Sequence, residues 1–212
     1  MKARRISAKA VIFDWDGTLL NSFHADARAY QAMFRALRIH FGSRELARHY
    51  SPDWHRVYRA AKVPKQLWRT ADALWAEAYK KEKPRLLPGA KRLLQKLSHS
   101  HKLGLVTSGD SERVHRQLEQ FGFTAFFQAC ICSEDSVRRK PHPAPLRKAM
   151  KSLAVKAEDS VYIGDTPEDI EMAARAGVRS IGIAGPFPSS ARLKDAKPGI
   201  LVRSISELFR IL

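Results

Sequence analysis

Two aspartates separated by one residue stand directly after a short apolar segment near the start of the chain. Asp14 and Asp16 follow Ala10–Phe13, whose composition is typical of a buried strand. If the extended conformation continues, both carboxylates project to the same side of the strand end. Gly17 permits a sharp turn at this point, and Thr18 can bind a phosphate oxygen. Aspartate pairs of this kind are also common in solvated turns. A functional interpretation therefore depends on whether other polar residues lie at the same strand end.

Three later segments carry polar groups where another predicted strand ends. In chain order they are Thr107-Ser108-Gly109, Lys140, and the pair Asp165 and Asp169. The first precedes a predicted helix, so its hydroxyl and backbone N–H groups can bind phosphate oxygens. The second supplies a cation, and the third supplies two more carboxylates. Because ligands of open α/β sheets bind outside the carboxyl ends of the strands, the four segments together predict one phosphate-binding site.

The elements that must position these residues follow from the apolar runs. Six runs end at small or polar residues and are predicted as buried strands: Ala10–Phe13, Leu103–Val106, Ala129–Cys132, Val161–Gly164, Ser180–Ile183 and Ile200–Val202. Segments of helical period lie between the later ones. This alternation predicts an α/β fold with a Rossmann-like, doubly wound parallel sheet covered by helices on both faces.

A long helical segment interrupts this alternation after the first strand. Its apolar residues recur at helical spacing, and those from Phe23 to Phe41 predict one long helix that ends near Gly42. We therefore expect an inserted α-helical cap subdomain beside the α/β core. The expected bounds are residues 1–21 and 87–212 for the core and residues 22–86 for the cap.

Composition limits the classes of protein to which the chain can belong. Hydrophobic residues make up 44% of its 212 residues, which excludes disordered and fibrous proteins. Two cysteines are too few for a disulfide framework or a four-cysteine zinc site, and they fit a reducing compartment. No run approaches the about 18 apolar residues of a membrane span, and the basic start Met1–Arg5 does not lead into a signal peptide. We expect a cytoplasmic protein without a membrane anchor; an organellar presequence within Met1–Lys9 stays an alternative.

The four segments together resemble the motifs of the haloacid dehalogenase-like superfamily of phosphotransferases. The matching residues are Asp14-Trp15-Asp16-Gly17-Thr18, Thr107, Lys140, and Gly164-Asp165 with Asp169. The resemblance covers essentially the whole chain, and with the inserted helices it is similar to the phosphoglycolate phosphatase-like branch. It implies a hydrolase that releases phosphate from a small phosphorylated metabolite through an aspartyl-phosphate intermediate.

The resemblance also implies a role for each residue of the first motif. Asp14 is expected to attack phosphorus, while Asp16 donates a proton to the leaving alcohol and then activates water. Four carboxylates that face a phosphate dianion repel it, so a hard divalent cation is required, and Mg²⁺ prefers such oxygen ligands. The expected metal ligands are Asp14, the main-chain carbonyl of Asp16, and Asp165, with Asp169 acting directly, through water, or by orienting Lys140.

The remaining motif residues are expected to bind the phosphoryl group. Lys140 supplies positive charge, and Thr107 with Ser108 supplies hydroxyl groups. Backbone N–H groups near Gly17 and Gly109 are expected to hold the transferring phosphoryl oxygens.

Two other functions stay open at this level. A β-phosphoglucomutase-like phosphosugar mutase uses the same core residues, whereas dehalogenation is disfavoured because it has no leaving alcohol that Asp16 could protonate. The formal net charge of +17, with a disproportionate share in residues 22–86, also fits a protein that binds nucleic acid or another polyanion. No recognised nucleic-acid motif accompanies that charge.

Overall fold

The computed structural model describes residues 6–185, 188 and 190–212. The basic start Met1–Arg5 lies outside the described residues. The strands are β1 (Ala10–Phe13), β2 (Leu20–Asn21), β3 (Arg85–Leu86), β4 (Lys102–Val106), β5 (Ala129–Ile131), β6 (Ser160–Gly164), β7 (Arg179–Ile183) and β8 (Ile200–Val202). The helices are α1 (Phe23–Ala36), α2 (Ser43–His49), α3 (Trp54–Ala60), α4 (Trp68–Tyr79), α5 (Ala90–Ser98), α6 (Ser111–Phe121), α7 (Ala144–Ser152), α8 (Pro167–Ala176), α9 (Ser190–Leu193) and α10 (Ile205–Ile211).

Six strands form one parallel sheet in the order β5-β4-β1-β6-β7-β8. β1 is central, and its Val11 lies beside Leu103 of β4 and Val161 of β6. After β1 the sheet is extended first on one side, by β4 and β5, and then on the other, by β6 to β8. This reversal confirms the predicted doubly wound α/β fold, a topology in which ligands generally bind beside the carboxyl ends of the strands where the order reverses.

Both faces of the sheet are buried, and β1 shows why. Val11 and Phe13 pack into a cluster that includes residues of α5, α6 and α10. Ala10 and Ile12 point to the opposite face and pack with residues of α7 and α8. Because alternate residues of a strand face opposite ways, a strand covered on both faces must be apolar throughout. This is why the apolar runs predicted the strands correctly. All six are observed, each with bounds within one residue of the expected ones.

The chain divides into two compact units. One contains the described residues up to Leu20 and from Leu86 onward, and the other is Asn21–Arg85. Each junction lies one residue before the expected boundary. The short strands β2 and β3, which the sequence did not predict, pair with each other in a two-stranded sheet.

The second unit is helical, with α1 to α4 packed around its own apolar cluster. The prediction that its first helix continues to near Gly42 is wrong, because α1 ends at Ala36. Arg38 adopts a left-handed conformation with φ of 56°, which stops the helix. Phe41 still packs on Phe34, with ring centroids 5.2 Å apart, so the apolar spacing continued beyond the helix. In the described part of the chain, no helix has the length and apolar character that crossing a bilayer requires.

Candidate active site

The first motif begins where β1 ends. The backbone N–H of Asp14 still donates to the carbonyl of Ile163 in β6, at 2.8 Å, so the extended pairing includes this residue. The chain then turns sharply at Gly17, whose φ is 87°. The N–H of Gly17 donates to the carbonyl of Leu20 at 2.8 Å, which closes the turn. The Asp14 side chain is buried, whereas that of Asp16 is 25% exposed and has a different partner.

Three aspartates form a buried acidic cluster at this end of the sheet. Asp14, Asp165 and Asp169 each offer a carboxylate oxygen, and these oxygens all lie within 4.8 Å of one another. Asp165 follows β6 directly, and Asp169 lies in the first turn of α8. Thr166 is the N-cap of that helix, and its hydroxyl donates to Asp169 Oδ2 at 2.6 Å. This cap fixes the Asp169 carboxylate against the strand end.

Lys140 joins the acidic cluster from the loop between β5 and α7. Its Nζ lies 2.6 Å from Asp14 Oδ1 and 2.8 Å from Asp169 Oδ1, and its side chain is only 2% exposed. Burial opposes the ammonium charge, but Asp14 and Asp169 outweigh that effect and raise the pKa of Lys140 above its ordinary value. Lys140 is therefore a cation at neutral pH. Asp14 lies 126 residues before Lys140 in the chain and Asp169 follows it, yet the ammonium group contacts both carboxylates.

Burial is also the largest influence on Asp14. It raises the pKa of this carboxyl to about 7; Asp169 adds to the rise and Lys140 opposes it. When all four side chains are ionised, the three carboxylates and Lys140 leave an excess of two negative charges in a buried space. Such an excess is costly unless a cation compensates it. An all-oxygen donor set with this charge fits Mg²⁺, which prefers hard oxygen ligands.

Two glycines and a threonine surround the acidic cluster closely. A Cβ at position 17 would collide with the Asp165 carboxylate, and a Cβ at position 164 would collide with Asp169. The hydroxyl of Thr18 lies 3.5 Å from Asp14 Oδ2 and 3.4 Å from Asp165 Oδ1. The glycines in the first and last motifs therefore give the carboxylates the space in which they converge.

The second motif follows β4, the neighbour of β1. Thr107 is buried, and its Oγ1 accepts a hydrogen bond from the N–H of Gly109 at 3.0 Å. The Thr107 hydroxyl proton can therefore point to a ligand, while Ser108 is partly exposed beside it. Gly109 has another role that the sequence did not reveal, because a Cβ there would collide with the Arg113 guanidinium.

Two further residues of the site escaped sequence reasoning. Arg113 on α6 forms a paired contact with Asp16, with Nη1 to Oδ1 at 3.1 Å and Nη2 to Oδ2 at 2.8 Å. The hydroxyl of Tyr162 lies 2.9 Å from Asp169 Oδ1. Arg113 and Gln117 are four residues apart on α6 and both are buried, but burial of polar residues is not visible in the sequence, so Arg113 carried no sequence signal. Tyr162 carried none, since an aromatic residue is ordinary in a strand.

Comparisons with known proteins show which sequences and structures this chain resembles. Residues 11–183 match the model of the haloacid dehalogenase-like hydrolase family. The pyrophosphatase PpaX of Oceanobacillus iheyensis is 24% identical over 211 residues, which cover 98% of each chain. A candidate phosphoglycolate phosphatase from Lactobacillus plantarum superposes with a TM-score of 0.90 at 20% identity, covering 98% of this chain and 100% of the other. CbbY from Rhodobacter sphaeroides, solved in complex with phosphate, gives a TM-score of 0.82 at 22% identity, covering 95% and 96%.

Proposed function

The chain belongs to the haloacid dehalogenase-like hydrolase family, and on this basis we propose that it is a Mg²⁺-dependent phosphatase of small phosphomonoesters. The observation that carries the proposal is the acidic cluster with Lys140 buried between two of its members. Three buried carboxylates lower the stability of the fold, so a purely structural role does not explain them. A site that binds a divalent cation and a phosphate group requires such carboxylates.

Asp14 is proposed as the nucleophile. Lys140 holds its Oδ1 at 2.6 Å, which leaves Oδ2, on the side of Thr18, to form the bond to phosphorus. The same lysine brings positive charge to a site that must accept a phosphate dianion. The product of this step is an aspartyl-phosphate on Asp14, which water then hydrolyses.

Asp16 is proposed to supply and recover the proton. It donates a proton to the leaving oxygen as the bond to phosphorus breaks, and it then accepts one from the attacking water. The Thr107 hydroxyl, whose oxygen already accepts from Gly109, is proposed to donate to a phosphoryl oxygen together with Ser108. Backbone N–H groups around Gly17 and Gly109 complete the proposed phosphate contacts.

The residues proposed to hold Mg²⁺ are Asp14, the main-chain carbonyl of Asp16, and Asp165. When bound, the ion would offset the repulsion between these carboxylates and the phosphate. Asp169 would support the site by holding Lys140, whose Nζ lies 2.8 Å from its Oδ1.

Phosphate release from a substrate panel tests the proposal. The panel contains phosphoglycolate, sugar phosphates and nucleotides, and it includes pyrophosphate because the relative from Oceanobacillus iheyensis is called a pyrophosphatase. Wild type is compared with Asp14→Asn in Mg²⁺ and in EDTA. Asp159→Asn serves as the control, since Asp159 forms an ion pair with the exposed Lys9 away from the site.

We expect Mg²⁺-dependent release that Asp14→Asn abolishes and Asp159→Asn retains. Undiminished release by Asp14→Asn would disprove the nucleophile. A sugar phosphate whose phosphoryl group changes position without release would favour the mutase. A protein that is inert on the whole panel but binds nucleic acid at low salt would favour the polyanion-binding alternative.

A further inference from the structure

The carboxylate of Asp16 is held by a two-pronged contact. Both terminal nitrogens of Arg113 reach it, each to a different oxygen, at 3.1 and 2.8 Å. The Arg113 side chain is 8% exposed, so this ion pair is far less screened by water than a surface pair. A planar guanidinium that binds both oxygens fixes the plane of the carboxylate as well as its position.

Arg113 is itself held in place by its neighbours. Its Nη1 donates to Gln117 Oε1 at 3.3 Å, and its Nε donates to Asp110 Oδ2 at 3.4 Å. Gln117 Oε1 also accepts from the indole of Trp15, at 2.8 Å. Trp15 precedes Asp16 in the chain and is fully buried. The side chain of the residue before Asp16 and the guanidinium on the Asp16 carboxylate therefore both donate to one amide oxygen.

The backbone of the second motif makes room for this guanidinium. A Cβ at position 109 would collide with Arg113 Nη2 and approach Val114 closely. The glycine therefore lets α6 place Arg113 against the turn that carries Asp16. Three separate features, the paired contact, the Gln117 anchor and the space above Gly109, serve the same side chain.

We propose that Arg113 is a positioning residue, which aims the Asp16 carboxylate at the leaving-group oxygen. This inference rests on the proposed function. In that step Asp16 enters as the protonated acid. The bond from Asp14 Oδ2 to phosphorus forms, the bond from phosphorus to the leaving oxygen breaks, and the Asp16 proton passes to that oxygen, which leaves the Asp16 carboxylate paired with Arg113. A general acid acts only within hydrogen-bond reach of the atom it protonates, and an aspartate that can rotate freely loses that geometry.

The proposal predicts a dependence on the leaving group. An alkyl alcohol leaves poorly as an alkoxide and needs the proton, whereas nitrophenolate leaves without one. The ratio of kcat/KM for an alkyl phosphate to that for p-nitrophenyl phosphate therefore reports the alignment of Asp16. It does not report the amount of folded enzyme, because both substrates are measured on the same protein.

Arg113→Lys is the test variant, since lysine keeps the charge and loses the two-pronged geometry. We expect kcat/KM for the alkyl phosphate to fall about 10- to 100-fold, a part of the about 10²- to 10⁴-fold that a general acid contributes. The value for p-nitrophenyl phosphate should change little. In the Asp16→Asn background, Arg113→Lys should leave the ratio unchanged, because the group it aims is gone. Arg116→Lys, at an exposed ion pair on the same helix, is the control and should change neither value.

Asp110→Asn provides a second test that does not endanger the fold. Asparagine caps a helix as well as aspartate does, but it weakens the contact with Arg113 Nε. We therefore expect a smaller fall in kcat/KM for the alkyl phosphate than in Arg113→Lys, again with little change for p-nitrophenyl phosphate. Equal losses on both substrates, or an unchanged ratio in both variants, would overturn the positioning role. If Asp14→Asn is inactive while the ratio does not move, only the positioning role fails; if Asp14→Asn is active, the proposed function fails.

Discussion

Replacement of Lys140 by methionine should destabilise the protein strongly and in a pH-dependent way. The Nζ lies 2.6 Å from Asp14 and 2.8 Å from Asp169, and both carboxylates are buried. Methionine fills similar space but leaves the carboxylates without this cation. Removing one partner of a buried ion pair costs about 3–5 kcal/mol. For a protein of this size each kcal/mol lowers Tm by about 2–4 °C, so Tm should fall by about 6–20 °C.

The sign of the pH effect follows from Asp14. Its pKa is raised by burial to about 7 in the folded protein, above its ordinary value of 3.8, while Lys140 lowers it. Without Lys140 the pKa rises further. A group whose folded pKa is raised stabilises the fold at low pH and loses that contribution as pH rises through the folded pKa. At pH 6 the carboxyl of the variant is protonated and neutral, so the loss of stability should be smaller at pH 6 than at pH 8.

Thermal melts of wild type and Lys140→Met at pH 6 and pH 8, in EDTA and in Mg²⁺, measure these effects. Mg²⁺ should raise the Tm of the variant more than that of wild type, because the ion no longer competes with an ammonium group. Lys148→Met is the matched control, since Lys148 pairs with Asp135 at 3.2 Å and 46% of its side chain is exposed. A surface pair of this kind is worth about 0–1 kcal/mol. Equal Tm losses in the two variants, or a larger loss at pH 6, would refute the reasoning.

Three further predictions concern the surroundings of the acidic cluster. Gly17→Ala should weaken Mg²⁺ binding measured by calorimetry, because the new Cβ displaces Asp165 and the φ of 87° strains alanine; unchanged affinity would contradict the close fit. Tyr162→Phe should lower the free energy of unfolding in urea by about 1.5–3 kcal/mol, because Asp169 Oδ1 loses a donor at 2.9 Å; a loss below that range would show that the hydroxyl is dispensable. Mg²⁺ at about 100 times its Kd should stabilise wild type by about 2.7 kcal/mol in a thermal-shift assay, and Asp165→Asn should lose that gain; a shift that survives in Asp165→Asn would place the ion elsewhere.

The sheet could be predicted from sequence because its strands are apolar on both faces. A run such as Ala10–Phe13 has no polar residue that a solvated face would require. The same pattern therefore predicts both the strand and its burial on both faces. The meeting of the motifs at one edge then follows from parallel topology alone. The structure brings Asp14, Lys140, Asp165 and Asp169 together at that edge.

The partners of Asp16 and Asp169 could not be predicted in the same way. Arg113 reaches Asp16 because α6 begins beside the turn after β1, and no local pattern shows that approach. The early end of α1 was missed for a related reason. The left-handed Arg38 stops the helix, although Phe41 continues to pack as a helical residue would. In each case the deciding contact joins segments that sequence periodicity treats separately.

The distance along the chain between the members of the site has a consequence for synthesis. Lys140 contacts an aspartate 126 residues before it, and Thr18 contacts Asp165, which follows 147 residues later. The pairing of β1 in the sheet is complete only after β4 and β6 have been synthesised, and β6 begins at Ser160. Contacts of such separation close large loops and form late in folding. A ribosome must therefore release about four fifths of the chain before the first active molecule can assemble, and until then the nascent protein carries its nucleophile without the lysine that holds it.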